Sequence, residues 1–249
     1  YAVADPSFDV EGVDASHNIS LLSSLAFGVP INFKAASIEG ISKLDATDIA
    51  YADKFGYRIK LLGITKRGAD GIELRVHPTL IPEKQLIANV NGVMNAVMIK
   101  GDAVGPTLYY GAGAGSEPTG SSVVADLIDV TRLHTADPEH RVPHLAFQPD
   151  ALEDIPVLPL SQVKTRYYLR LTARDQKGVL ADITRILAQH DISVDAMLQA
   201  EVDDANSEAQ IVVMTHVCQE SNVDAAIEEI KALASINGEV VKLRVEELA

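Results

Sequence analysis

The sequence has 249 residues, which is enough for one large domain or two ordinary ones, each with its own apolar core. Hydrophobic residues make up 47% and charged residues 22%, as in soluble globular proteins, and the formal net charge is −14. This charge argues against a nucleic-acid partner, because neutralising phosphates requires clustered lysine and arginine.

The composition also argues against membrane and metal-binding classes. No apolar run is long enough to span a membrane, and no signal peptide opens the sequence. Cys218 is the single cysteine, so neither a disulfide framework nor a thiolate metal cage is possible. His140 and His144 have the spacing of metal ligands, but Pro143 between them argues against a shared helix face. We expect a reduced, cytoplasmic protein with no metal site and no membrane partner.

The first block, residues 1–111, opens on an acidic stretch and a helix. The helix is predicted over residues 14–27, and Gly28 is a typical stop signal. The apolar face expected to be buried consists of Ala15, Ile19, Leu22 and either Leu25 or Ala26. Four acidic residues lie before or at the start of the helix: Asp5, Asp9, Glu11 and Asp14.

Strand-like segments fill the rest of this block. They are residues 57–67, 71–80, 96–101 and 107–111. Asp70-Gly71 is a strong turn signal, so the first two segments are expected to form a hairpin.

The second block, residues 112–133, is a loop of small residues that leads into a helix. The apolar positions of this helix are Val123, Val124, Leu127, Ile128 and Leu133. Residues 134–165 contain five prolines and no sustained hydrophobic period, which indicates a linker lying along a surface.

The third block, residues 166–249, alternates strand and helix signals in the order βαββαβ. This order is typical of a ferredoxin-like domain, with two helices on one face of a four-stranded antiparallel sheet. We expect Leu180, Ile183, Ile186 and Leu187 to face inward, and a capping box of Ser221 and Asp224 to open the second helix. The other face of the sheet and its edge are expected to be free for a partner. The predicted class is α+β, with a partial mixed-sheet domain followed by this smaller one.

The loop between the first strand and helix of the third block carries the most specific local signal. Gly178 at the helix start allows backbone N–H groups to approach a ligand, and Asp175 could receive an amino group. The segment "DQKGVLADI" and the βαββαβ order resemble an ACT domain. The resemblance implies pairing of such domains and an amino-acid effector, with threonine as our candidate, near Asp175, Gly178, Val179 and Leu180. The alternative is that Gly178 only serves the turn and the domain only dimerises.

Two segments of the first blocks resemble homoserine dehydrogenases. These are "DVEGVDASHNISLLSSLAFG" and "GPTLYYGAGAGSEPTGSSVVADLIDV", and the order of blocks ending in an ACT domain resembles the bacterial members. In that family a Rossmann domain precedes this point, and no GxGxxG occurs in these residues. We therefore expect a C-terminal portion that binds NAD or NADP mainly through a domain outside it. The loop and helix of residues 112–133 would dock on that domain, so Val123, Val124, Leu127 and Ile128 are expected to be partly uncovered here. Gly113 and Gly115 would lie beside the cofactor, the alternative being a flexible linker.

The resemblance implies hydride transfer between a nicotinamide and aspartate semialdehyde, giving homoserine. In the family pattern an acidic residue stands at Val3, aspartates stand at Asp9 and Asp14, and a lysine stands at Asn18. Val3, Asp9 and Asp14 thus occupy substrate-binding positions, and Asn18 occupies the catalytic one. Asp14 and Asn18 are i,i+4 and share a helix face. Val3 cannot accept a hydrogen bond through its side chain, and Asn18 has no ionisable proton.

Two functions remain open on this basis. The first is an NAD(P)-dependent homoserine dehydrogenase of threonine, methionine and isoleucine biosynthesis. It would be a homodimer or homotetramer with amino-acid feedback, and this fragment alone would be inactive. The second is a non-catalytic, amino-acid-sensing dimer, which Val3 and Asn18 favour. His17 is a candidate proton donor, but it points about 100° around the helix from Asn18. Asp5 and Glu11 are expected to be solvated or to favour the helix N-terminus.

Overall fold

The computed structural model describes residues 5–134, 143, 146–200 and 208–248. The helices are α1 (Ser7–Val10), α2 (Val13–Phe27), α3 (Ala46–Lys54), α4 (Ser116–His134), α5 (Val179–Gln189) and α6 (Glu220–Lys231). The strands are β1 (Ser37–Ile38), β2 (Tyr57–Arg67), β3 (Ile72–Pro82), β4 (Met94–Gly101), β5 (Gly105–Ala112), β6 (Lys164–Arg174), β7 (Val194–Gln199), β8 (Glu208–Thr215), β9 (Cys218–Gln219) and β10 (Ile236–Val245). The expected α+β class is confirmed.

One mixed sheet runs through both halves of the chain. Its strand order is β1-β3-β10-β6-β8-β7, and β2 pairs with β3 in antiparallel register. The strands β10-β6-β8-β7 form the ferredoxin-like part that the sequence predicts. The expectation of a free sheet edge is wrong for β10. Arg244 and Val245 of β10 pair in parallel with Thr79 and Leu80 of β3.

Helices α5 and α6 cover one face of the C-terminal sheet with aliphatic side chains. Ile183, Ile186 and Leu187 are fully buried, as their spacing predicts. Leu180 is 37% exposed, so the prediction that it faces inward is wrong. It lies in the first turn of α5, beside the loop that begins the helix.

Helix α3 covers part of the opposite face, which the sequence analysis left free. Tyr51 and Ala52 of α3 pack in one cluster with Tyr168, Val212 and other residues of the sheet. The helix begins after Asp45, whose carboxylate accepts a hydrogen bond from the Thr47 backbone N–H at 2.7 Å. The first domain therefore packs on the C-terminal sheet within one chain.

Helix α2 is packed against the sheet by serines rather than by the expected aliphatic stripe. Its buried residues are Ser16, Ser20, Ser23 and Ser24. The serine hydroxyls are hydrogen-bonded; Ser24, for example, donates to the Val29 carbonyl at 2.6 Å. Ile19 is only half-buried and Leu25 is exposed. A Cβ at Gly63 of β2 would lie 3.0 Å from Ile19 Cβ, so the helix approaches the sheet closely.

The predicted hairpin at Asp70-Gly71 is confirmed. Strands β2 and β3 pair over their whole length, and the Gly68 N–H donates to the Gly71 carbonyl at 2.9 Å. Strands β4 and β5 form a separate two-stranded sheet. Helix α4, which follows β5, has no buried residue.

The described part of the predicted linker lies along the first domain. The Glu153 N–H donates to the Gly28 carbonyl at 2.8 Å, and the Ile72 N–H donates to the Pro156 carbonyl at 2.9 Å. The capping box predicted for α6 is wrong. The helix begins at Glu220, and Asp224 instead accepts a hydrogen bond from Lys242 at 2.5 Å.

Candidate functional site

The acidic stretch forms the short helix α1 and the start of α2, and a tight turn joins the two helices. Asp9 lies in α1, and Asp14 lies in the first turn of α2. Gly12 stands between the helices with a φ of 78°. Both carboxylates are exposed, so they are free to meet a ligand from solvent.

Asp14 and Asn18 form a hydrogen-bonded pair on the surface of α2. The Asn18 side-chain amide donates to Asp14 Oδ2 at 3.0 Å, and both residues are exposed. The geometry expected from their i,i+4 spacing is confirmed. The pair offers a fixed carboxylate and an amide, but Asn18 brings no titratable proton.

The neighbouring residues take other partners. The His17 ring packs against Phe33, with 4.0 Å between ring centroids, and Phe8 lies 5.9 Å from it. Asp5 accepts a hydrogen bond from the Ser7 N–H at 3.0 Å, and hydrogen bonding from the Ser7 side chain and then from its backbone lowers the pKa of the Asp5 carboxyl. Val3 lies outside the described residues, as do His140 and His144.

The loop with the two glycines joins β5 to α4. A Cβ at Gly113 would lie 2.0 Å from Asn95 Nδ2, so this glycine makes room for the Asn95 side chain. Gly115 immediately precedes α4. The apolar residues of α4 are exposed as expected: Val123 (54%), Val124 (54%), Leu127 (61%) and Ile128 (44%).

A second candidate site is a cavity of about 370 Å³ at the start of α5. It brings together the four residues that the sequence analysis assigned to an effector, namely Asp175, Gly178, Val179 and Leu180. Gly178 has a φ of 95°, and a Cβ there would meet nothing within 4 Å. The glycine is thus required by backbone conformation, and it also leaves open space at the N-terminus of α5.

The opposite wall of this cavity was not predicted from the sequence. Gln199 of β7 donates to Asp175 Oδ1 at 3.3 Å, and Ala209 and Ile211 of β8 also line the cavity. The strand order of a ferredoxin-like sheet places β8 beside β6, and this signal could have identified Ile211. Gln199 lies at the end of β7, where sequence alone does not predict its direction.

A cluster of buried charges lies where β3 meets β10. Arg75 and Glu246 are 1% and 3% exposed, and Arg75 Nη2 donates to Glu246 Oε1 at 2.6 Å. Arg75 Nη1 also donates to His77 Nε2 at 2.5 Å. Since arginine has no acceptor, Nε2 must be unprotonated, and Nδ1–H donates to the Pro78 carbonyl at 3.1 Å. The geometry assigns a neutral imidazole.

The surroundings of His77 explain this state. Burial comes first, and the nearby guanidinium groups of Arg244 and Arg75 add to it; together they hold the pKa of His77 well below its usual value of 6.5. The Glu246 carboxyl has a lowered pKa although burial by itself would raise it, because Arg75 and Lys66 stabilise the carboxylate. Sequence periodicity gives no signal for this cluster.

Two further findings concern only the part of the chain that the structure describes. No group of three or more histidine, cysteine, aspartate or glutamate side chains there could hold a metal ion. No helix there is both long and apolar enough to cross a membrane.

Comparison with known proteins gives one consistent result. Residues 1–128 match the family model described as homoserine dehydrogenase, and residues 167–235 match the ACT domain model. A homoserine dehydrogenase of Pseudomonas aeruginosa is 56% identical over 100% of the chain, which covers 57% of that relative. One of Neisseria gonorrhoeae is 54% identical over 100% of the chain and 57% of the relative.

The solved structures agree. A crystal structure of a homoserine dehydrogenase from Thiobacillus denitrificans matches with a TM-score of 0.93 and 63% identity, covering 100% of this chain and 56% of that one. A homoserine dehydrogenase of S. aureus matches with a TM-score of 0.68 and 32% identity, over 100% and 57% of the two chains. The chain thus spans little more than half the length of these relatives.

Proposed function

Because the chain belongs to the homoserine dehydrogenase family, we propose that it is the substrate-binding and amino-acid-responsive portion of an NAD(P)-dependent homoserine dehydrogenase. The reaction would interconvert aspartate semialdehyde and homoserine. The observation that carries the proposal is the exposed, hydrogen-bonded Asp14–Asn18 pair on α2. We assign this pair to the substrate position of the family.

Each residue of the pair has a chemical part in this proposal. The Asp14 carboxylate, together with Asp9, accepts hydrogen bonds from the substrate ammonium group. The Asn18 amide orients the substrate oxygen, but it cannot exchange a proton with the forming alkoxide. The proton is then carried by ordered water, because general acid–base work requires an ionisable group or water at this position.

The cofactor is the second element of the proposal. A nicotinamide supplies or accepts the hydride when it is bound. This sequence contains no strand–GxGxxG–helix unit, which would hold the pyrophosphate. The loop with Gly113 and Gly115 fits an edge of the cofactor site, since it leads into the N-terminus of α4. We assign the rest of the site to a domain outside these residues, whose docking would cover the exposed apolar residues of α4.

The ACT domain supports amino-acid feedback. The cavity at α5 combines an acceptor for an ammonium group, Asp175, with the backbone N–H groups that follow Gly178. These are the two complements of an amino acid's charged ends. We propose threonine as the effector and a homodimer or homotetramer as the assembly.

The replacement of the family lysine by Asn18 favours a second function. In it the chain is a regulatory dimer that binds an amino acid without turnover. A full-length protein that binds threonine but does not oxidise homoserine would support this function against the first.

Turnover of the full-length gene product tests the proposal. We expect homoserine-dependent reduction of NAD⁺ or NADP⁺, and a loss of about 100-fold in kcat/KM for Asp14→Asn, because a charged substrate contact is removed. Asp5→Asn is the matched control, since Asp5 is an exposed carboxylate that accepts a bond from Ser7. Full activity in Asp14→Asn, or no oxidation by the parent, would contradict the proposal.

A further inference from the structure

Arg244 of β10 joins the C-terminal domain to the first domain. Its guanidinium is 1% exposed and lies between two carboxylates. On the C-terminal side, Nε donates to Glu220 Oε2 at 2.7 Å. On the other side, Nη1 and Nη2 donate to the two oxygens of Glu39, each at 2.9 Å. Such a paired geometry fixes orientation as well as distance.

Glu39 is hydrogen-bonded to β3, the strand with which β10 also pairs. It follows β1, and its N–H donates to the Val76 carbonyl of β3 at 2.8 Å. Strands β1 and β10 both run parallel to β3, with partners at Val76 and Thr79. The Glu39–Arg244 pair therefore spans the gap between these two strands, opposite the buried His77.

The segment after Glu39 touches the turn between α1 and α2. The Ile41 N–H donates to the Val10 carbonyl at 2.9 Å. A Cβ at Gly40 would lie 2.6 Å from the Cα of Glu11, so the two backbones are in close contact. Asp14 is only three residues after Glu11 and lies in the first turn of α2.

We propose that the Glu39–Arg244 ion pair is a positioning connection, through which the C-terminal domain sets the place of the α1–α2 turn and hence of Asp14 and Asn18. Its relevance to catalysis rests on the proposed function, whereas the mechanical connection does not. Glu220 is the first residue of α6, so a shift of that helix changes the partner of Arg244 directly. To demonstrate this coupling, the effect of a change at Glu220 on the α1–α2 turn has to be measured.

The side-chain amide of Asn18 supplies the readout. Its signal in a two-dimensional ¹⁵N–¹H NMR spectrum of this chain reports the hydrogen bond to Asp14, and the measurement requires no turnover. The test variant is Glu220→Gln, which acts on the far side of Arg244. Asp224→Asn is the matched control, because Asp224 shares Lys242 with Glu220 but does not contact Arg244. Both are then repeated in a Glu39→Gln background, as a double-mutant cycle.

The connection predicts that Glu220→Gln shifts the Asn18 amide and the backbone amides of residues 10–18. Hydrogen exchange of those backbone amides should become about 10-fold faster, as expected for loss of a charge-assisted bond. Asp224→Asn should leave them in place, and Glu220→Gln should add no further shift when Glu39 is glutamine. Unchanged signals in Glu220→Gln, or an equal shift in both backgrounds, would overturn the proposal.

Glu39→Asp keeps the test decisive if Glu220→Gln does not fold. This change preserves the charge but shortens the side chain by one methylene. The shorter carboxylate keeps its bonds to Arg244 if the segment that follows β1 moves toward Arg244. We expect the Asn18 amide to shift while the methyl signals of Ile183 and Ile186 stay in place. An unshifted Asn18 amide in a folded Glu39→Asp chain would show that the pair does not position the turn. A protein without homoserine oxidation that shows these shifts would contradict the proposed function and retain the connection.

Discussion

The two faces of the C-terminal sheet are buried by different means. On one face α5 and α6 pack aliphatic side chains, among them the fully buried Ile183 and Ile186. On the other face Asp48 of α3 is fully buried, and it accepts hydrogen bonds from Arg170 at 2.5 and 2.9 Å and from the Tyr168 hydroxyl at 2.9 Å. The first face is an aliphatic core except at the Glu220–Arg244 pair. The second face is a domain junction that combines apolar contacts of Tyr51 and Ala52 with these specific polar partners.

Because of this difference, the two kinds of contact should respond differently to substitution. Apolar contacts lose stability in proportion to the atoms removed, so a core can adjust by small steps. Buried charges offset their desolvation only when all partners are present, so removal of one leaves another uncompensated. The junction should therefore respond to single substitutions more abruptly than the core, and it should recover when whole groups are replaced together.

The largest expected effect is that of Asp48→Ala. We expect a loss of about 3–5 kcal/mol in the free energy of unfolding, because Arg170 and the Tyr168 hydroxyl lose their shared acceptor. The triple variant Asp48→Leu, Tyr168→Phe, Arg170→Met should recover most of this loss, since no charge remains buried. Urea unfolding followed by circular dichroism measures both. A loss below about 1 kcal/mol for Asp48→Ala would show that the junction is not specified by this cluster.

The cavity at the start of α5, which we propose as the effector site, is lined by residues of the C-terminal domain and sharpens the comparison. Threonine at 100 times its dissociation constant should raise the free energy of unfolding by about 2.7 kcal/mol, because it binds only the folded state. Gly178→Val should remove this response. Gly238→Val is the matched control, since Gly238 also has a positive φ, of 75°, and open space around its Cβ position. An equal threonine response in both variants would place the effector elsewhere.

His77, in the charge cluster where β3 meets β10, makes this second contact between the domains sensitive to pH in a way that the apolar core is not. Because its pKa is depressed in the folded state, the unfolded chain binds more protons below pH 6.5. The stability contribution is fully present above that pH and is lost as pH falls, by about 1.4 kcal/mol per pH unit. His77→Gln should flatten this slope, whereas His216→Gln, at an exposed histidine, should not. Identical slopes in the parent and His77→Gln would contradict the assignment of a neutral, buried imidazole.

The smallest effect is expected at an exposed ion pair. Arg67 and Glu153 lie 3.1 Å apart, with 47% and 63% of their side chains exposed. Glu153→Gln should cost no more than about 0.5 kcal/mol, because solvent screens the pair. Comparison with Asp48→Ala in the same denaturation experiment separates burial from charge as the origin of the junction's sensitivity.

Sequence reasoning identified the contacts that repeat within one element. The spacing of Ile183, Ile186 and Leu187 predicts their burial, and Asp70-Gly71 predicts the hairpin, because both signals are local. Asp14 and Asn18 were paired correctly for the same reason, since the i,i+4 relation is a property of the helix itself. The α+β class follows from the order of such elements.

The contacts between domains could not be predicted in this way. Asp48 and Arg170 are 122 residues apart in sequence, and Arg244 and Glu39 are 205 apart, so no periodicity links them. Helix α3 was missed although Asp45 is a recognisable N-cap. In α2 the serines are buried because close approach to the sheet at Gly63 outweighs hydrophobicity. The roles assigned to the site residues remain predictions.

The position of Asn18 tests the central claim most directly. Homoserine oxidation by the full-length protein should be compared with that of Val3→Glu, Asn18→Lys and the double replacement, as NADH or NADPH absorbance. If these residues stand at the family's substrate and proton-transfer positions, the double replacement should be about 10²–10⁴-fold faster than the parent. Most of the gain should require both changes, because the two groups act on one substrate. A parent as fast as the double replacement would show that the proton is carried elsewhere, and the assignment of Asn18 to the catalytic position would be wrong.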